Sequence, residues 1–341
     1  MMLRTITMCA LVCACWLSGA AGVGATAATQ DKKQADAKVT DGERAAADKL
    51  NKAKGGEAKL QAAAEFIKKY PKSSLRPQVA SVVAGEIANT NETELKISLA
   101  RTYLDFFNEP SEVEQVSGVL LNALLDANRA TEVFKLAPAW IEKHPEDVNM
   151  LSRVAVLASN EMIKDNNIYA AQGQQYGAKA IELIEADKMP AVIDAAQWAA
   201  FKIAMLPTLY RATGIIAFKS GDKPNAMARL EKAAALKSSD PGVYFILSDL
   251  SYEEYEMLTK KYRVTPDGPG KQEMLKQIEA SLDKVITVYA QAVAITEGDP
   301  QYQTPHDQLK KDLETYYKYR HNGSTDGLQQ LLDKYKKPAM P

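Results

Sequence analysis

Cysteine is confined to the first fifteen residues of this 341-residue chain, at Cys9, Cys13 and Cys15. Beyond them, disulfides, thiolate metal sites and a cysteine nucleophile are excluded. Histidine is equally scarce. His144, His306 and His321 lie far apart, none beside a carboxylate at a metal-ligand spacing, and neither His-Glu-x-x-His nor Gly-x-Ser-x-Gly occurs. His144, in "KHPED", is expected at a helix end bonding terminal carbonyls; His306 and His321 are expected as surface caps in a first and a last helical turn. Charge of one sign is not in excess either: 42 basic residues stand against 43 acidic ones, a net charge of −1. Neither nucleic acid nor an anionic membrane surface is indicated as a partner. No segment after the first thirty residues is apolar enough to span a bilayer.

What the chain does have begins with a leader. "MMLRTITMCALVCACWLSGAAGVGATAATQDKK" places Arg4 before an apolar run of about a dozen residues and a tail of small ones, the pattern of a secretory signal peptide. The run from Ile6 to Leu17 is shorter than a spanning helix needs, and Ala25-Thr26-Ala27 offers a cleavage site. The signal peptide is thus expected over 1–27, with export to a bacterial periplasm, since a core of this size needs no disulfide. The alternative is a lipoprotein anchored through Cys15, with Val12-Cys13-Ala14 as its lipobox. Residues 28–42, charged and alanine-rich without aromatics, are expected to be a flexible tether. The remainder, 43–341, is expected to be one unit.

Within that unit apolar residues recur at i, i+3, i+4 and i+7, as in "AAAEFIKKYP", "LARTYLDFF", "VSGVLLNALL" and "LKQIEASLDKVITVYAQAVAI", and no period-two strand pattern survives. The fold class is all-α. Pro71, Pro110, Pro145, Pro190, Pro241 and Pro300 each follow one helical pattern and precede another. The first intervals are roughly 35 to 40 residues, the period of stacked helix pairs.

In "GIIAFKSGDKPNAMARLEKAAAL", Gly214, the Gly221-Asp222 turn, Ala226 and Ala233 fall at the offsets of small residues where two helices approach closely. Pro207–Asp240 therefore resembles one tetratricopeptide repeat of about 34 residues, opening at Pro207. Tyr210, Thr213 and Ala217 depart from the pattern. Weaker likenesses lie at 62–87, where Phe66, Tyr70-Pro71 and Ser73 resemble repeats of bacterial periplasmic proteins, and at 130–185. The resemblance implies a right-handed superhelical solenoid, with less regular helices from about 244 to 341, and a concave face that binds peptides. Its groove offsets fall on Thr208, Arg211, Ile215 and Phe218 and, one repeat on, Gly242, Phe245, Asp249 and Tyr252. Asp249 is expected either to receive a basic group or to pair with Arg211.

Other motifs are expected to be structural. "GQQYGAK" lacks the spacing of a phosphate loop, and its glycines suit close helix packing; "GPGK" lacks a preceding strand. "RVTPDGPGKQ" is expected as a loop over 263–271 and "DGLQQLLDKYKK" as a last helix capped by Ser324-Thr325. The expected function is a scaffold that binds a peptide or helix of another cell-envelope protein, with no cofactor, no metal and no catalytic residue. Two alternatives stay open: an envelope-polymer hydrolase using Glu253 and Asp267, and a small-molecule or glycan-binding accessory protein.

Overall fold

The computed structural model describes residues 39–336, so the leader, its cysteines and residues 28–38 of the expected tether lie outside the described residues. Among those residues there are only helices: α1 (Asp41–Lys52), α2 (Gly56–Lys69), α3 (Arg76–Ala88), α4 (Thr93–Phe106), α5 (Pro110–Asp126), α6 (Ala130–Lys143), α7 (Val148–Ile163), α8 (Ala170–Glu185), α9 (Ala195–Lys219), α10 (Lys223–Ala235), α11 (Pro241–Val264), α12 (Pro269–Thr296), α13 (Gln303–Arg320) and α14 (Leu328–Tyr335), with a 3₁₀ turn at Pro300–Tyr302. None is long and apolar enough to cross a membrane.

The helices pack as successive hairpins, α1 with α2 through α11 with α12, and α1, α3, α5, α7 and α9 also touch in series. That series stops at α9; α11 packs instead on α10 and α12, and α12 carries α13 and α14. One apolar core runs from Leu50 to Ala292 and a smaller one joins α12, α13 and α14, with Leu309 packed against both.

Local chemistry explains where the helices begin and end. Thr40 and Glu43 form a capping box at α1, Asp194 and Gln197 form one at α9, and Pro110, Pro241 and Pro269 occupy first-turn positions where a missing N–H is harmless. Five helices close through a non-glycine residue with positive φ: Asn128, Asp165, Asp187, Lys237 and Asn322. After each, the next N–H donates back to a carbonyl of the last turn, as Arg129 does to Leu124 and Ser238 to Ala233, so carbonyls otherwise left bare are satisfied.

Close approach is visible at the glycines. A Cβ on Gly214 would lie 2.7 Å from Leu230 Cγ, one on Gly173 2.3 Å from Ala158 Cβ, and one on Gly177 2.5 Å from Thr213 Cγ2. The glycines of "GQQYGAK" therefore let α8 sit against α7 and α9. Arg76 ties α3 to α5: its Nε and Nη2 donate to the two carboxylate oxygens of Glu112, at 2.6 and 2.9 Å, with the glutamate almost wholly buried.

Several expectations are corrected. Pro207 does not open a helix but lies inside α9, which begins twelve residues earlier at Ala195. The 263–271 loop shrinks to 265–268, because α11 runs to Val264 and α12 starts at Pro269. The array begins at Asp41, inside the expected tether. Ser324-Thr325 does not cap α14, whose N-cap is Gly327 at φ 88°. The three histidines stand at the helix positions expected, His144 ending α6, His306 in the first turn of α13 and His321 ending it, but His306 is buried with its Nδ1 3.1 Å from Thr296 Oγ1, and His144 pairs with the Glu114 carboxylate rather than with helix-end carbonyls; His321 stacks on Tyr317.

Candidate functional site

The shifted start of α9 redistributes the residues picked from the repeat offsets. Thr208 is half-buried and its hydroxyl donates to the Ala204 carbonyl at 2.9 Å. Arg211 is 7% exposed and pairs with Asp240, the residue that also caps α11 by accepting from Gly242 N at 2.8 Å. The expected Arg211–Asp249 pair is thus replaced by one with Asp240. Ile215 is buried, and Phe218 is half-buried against the main core. Phe245 is half-buried, with Tyr302 5.6 Å from it between ring centroids. With Arg211 and Ile215 buried, the five are not all open to a partner. They do not form one open wall.

Asp249 and Tyr252 have different surroundings. Tyr252 is half-buried on α11 and donates to Glu256 Oε1 at 2.9 Å. Its ring stands 5.9 Å from that of Tyr316 on α13, and Tyr316 is 6.2 Å from Tyr255 and 6.0 Å from Tyr289 of α12. Three tyrosines, from α11 and α12, therefore surround Tyr316 of α13. The sequence offsets had no access to Tyr289 and Tyr316, which lie in helices outside the recognised repeat. The signal available was composition: "YEEYE" and "YYKYRH" concentrate tyrosine.

Electrostatics set this patch apart. Of the four carboxylates on α11, Glu253 pairs with Lys223 at 2.6 Å, Glu254 with Lys284 at 3.2 Å and Glu256 with Lys260 at 3.0 Å. Among the described residues Asp249 has no such counter-charge. Its side chain reaches solvent, yet the protein around it desolvates the carboxyl and, with the charge of Glu253 one turn on, raises its pKa. Burial also raises the pKa of Tyr289, with smaller contributions from Tyr316, Asp312 and Asp249, so its hydroxyl lies in the field of both aspartates.

The carboxylates considered for hydrolysis are tied to lysines. Asp267 accepts from Lys271 at 2.7 Å, which holds its pKa below the usual range, the opposite of what a general acid at neutral pH requires; Glu253 has Lys223. Among the described residues no group of three or more His, Asp or Glu side chains is arranged to hold a metal ion.

No protein-family model matches this chain, and no curated protein does. Among solved structures it is similar to a tetratricopeptide repeat protein from Parabacteroides merdae, at 10% identity over 85% of this chain and 95% of that one, with a TM-score of 0.35.

Proposed function

We propose that this protein is an exported, tetratricopeptide-like scaffold that binds a segment of another envelope protein, noncovalently, on the tyrosine-lined face of α11, α12 and α13. The observation that carries the proposal is the cluster of Tyr252, Tyr255, Tyr289 and Tyr316 beside an un-neutralised Asp249. Rigid aromatic rings bury much area at small entropic loss, and anchors of this kind dominate the energy of protein contacts. The periplasmic address rests on the leader of the sequence, and the scaffold reading on helix hairpins whose own side chains fill their interior.

Capture from a cell-envelope extract tests the reading. Immobilised protein is compared with a Tyr252→Ala/Tyr319→Ala variant; Tyr319, on α13 one turn on from Tyr316, is 74% exposed. One protein recovered stoichiometrically by the parent, and at least about tenfold less by the variant at unchanged helicity, supports the proposal. Recovery of a sugar or lipid in place of a protein favours the accessory-protein alternative, for which tyrosine rings are equally suited. Equal protein recovery by both forms moves the binding face elsewhere.

A further inference from the structure

We infer that the exposed face of the first turns of α9 pairs with the same face of a second copy of this chain, antiparallel, across a twofold axis between Ala199 and Ala200. The inference goes beyond the scaffold reading and does not depend on it. Three observations carry it.

First, this stretch is apolar on every side. Trp198, Phe201 and Met205 pack in or against the main core, as one face of a surface helix does. On the other side the exposed residues between 195 and 208 are Ala195, Ala196, Ala199, Ala200, Ile203 and Ala204, and none is polar. At about 100° per residue they share one half of the helix circumference. A helix facing water carries polar residues there, whereas one that is hydrophobic all round is covered. Val192, 89% exposed, and the exposed Met189 add apolar surface in the loop just before it.

Second, the stretch runs past its neighbours and its charges are engaged. α8 ends at Glu185, whose carboxylate meets the Tyr210 hydroxyl at 2.5 Å, so the turns of α9 before Tyr210 extend beyond it. Between Met189 and Tyr210 the charged residues are Asp194, which accepts from Gln197 N at 2.8 Å, and Lys202, which donates to Asp187 at 2.5 Å. A partner recruited by charge has nothing to hold on this face, and a second copy meets no like charge.

Third, the face matches itself. Ala196 and Ile203 lie along its midline, with Ala199 and Ala200 one to each side. A twofold rotation between Ala199 and Ala200, about an axis perpendicular to both helices, sets Ile203 of each copy on Ala196 of the other and closes the two central alanines on their own counterparts. The one large side chain thus meets a small one twice, and the alanines let the helices approach to the near end of the roughly 8 to 10 Å range. Self-complementarity is what an isologous dimer requires. Three turns supply fewer residues than a standard interface, so the dissociation constant should be on the order of micromolar.

The test uses the chain from residue 28, which holds every described helix and both cores and contains no cysteine. Mild oxidation should convert Ala200→Cys to a disulfide-linked dimer, because its counterpart lies at the axis. Ala196→Cys should stay monomeric, since its counterpart is displaced by about 10 Å along the helix, beyond disulfide reach. Adding Ile203→Glu to Ala200→Cys should cut crosslinking at least about tenfold at unchanged circular dichroism, and sedimentation of the parent at rising concentration should show a monomer–dimer equilibrium that Ile203→Glu abolishes. A parent that stays monomeric, equal crosslinking at both positions or at neither, or crosslinking that Ile203→Glu leaves unchanged overturns the dimer. Binding to phosphatidylcholine vesicles, or capture of an envelope protein, that Ile203→Glu removes while Ala200→Cys stays uncrosslinked gives the face to lipid or to that protein and likewise overturns it.

Discussion

Arg211 of α9 is paired with Asp240, the same aspartate that caps the first turn of α11. The pair fastens the last regular hairpin to the helix that carries the tyrosine face, and it accounts for an arginine being almost fully buried in a helix otherwise lined with alanine, threonine and isoleucine. Arg211→Met, which keeps much of the volume and removes the charge, should destabilise the protein by about 2 kcal/mol, because the partly buried Asp240 is left without its counter-charge. In an Asp240→Asn background the same change should cost less than half as much. Urea denaturation of the four proteins gives the coupling. Additive losses would mean that the two side chains do not interact.

Glycine positions divide into two kinds, and the same substitution should act on them with opposite sign. Gly85, inside α3, has open space where a Cβ would stand, so Gly85→Ala should stabilise the protein by up to about 1 kcal/mol through helix propensity alone. Gly173→Ala gains that same propensity term but drives a methyl to 2.3 Å from Ala158 Cβ. Overpacking of this kind costs about 1 to 3 kcal/mol, so the net change should be destabilising. Thermal melts of the two variants beside the parent decide it: two shifts of the same sign contradict the assigned packing.

Asp249 links stability to function. A carboxyl whose pKa is raised in the folded state weakens folding when ionised: the deficit is absent below the ordinary aspartate pKa, grows as pH rises through the raised value and is constant above it. The charge that acts on it is that of Glu253 on its own helix, and Tyr289 on α12 lies within its field. Asp249→Asn should therefore raise the melting temperature at pH 7 and leave it unchanged near pH 3, while weakening partner capture at pH 7. A melting temperature that falls at pH 7 would place a stabilising partner on Asp249.

Much of the fold was legible because helix ends are local events. The prolines at 110, 241 and 300 mark first turns, and the small residues at 173, 177 and 214 mark close contacts, as their spacing indicated. Pro207 misled because a proline, though it removes a hydrogen bond and crowds the carbonyl four residues earlier, can sit inside a long helix where that carbonyl finds another partner. Here that residue is Ile203, 78% exposed, so water is at hand for its carbonyl and α9 continues. Counted from Pro207, the groove offsets fell on Arg211 and Ile215, which are buried, as well as on Asp249 and Tyr252, which are not. The five positive-φ closures were equally hidden, since glycine is the residue that signals them and none of the five is glycine. The tyrosine cluster depends on three helices meeting, and no local pattern encodes that.

The most direct test of the central claim, that a partner docks on the face of α11, α12 and α13, is site-specific photo-crosslinking in living cells. A photoreactive phenylalanine replaces Tyr319 in one strain and Ile168, 69% exposed near the start of α8, in another, so that both probes are open to solvent and neither disturbs a core. The account predicts a single discrete adduct with an envelope protein from position 319, reduced at least about tenfold by Tyr252→Ala, and none of that species from position 168. The same adduct from position 168 with none from position 319 would contradict it.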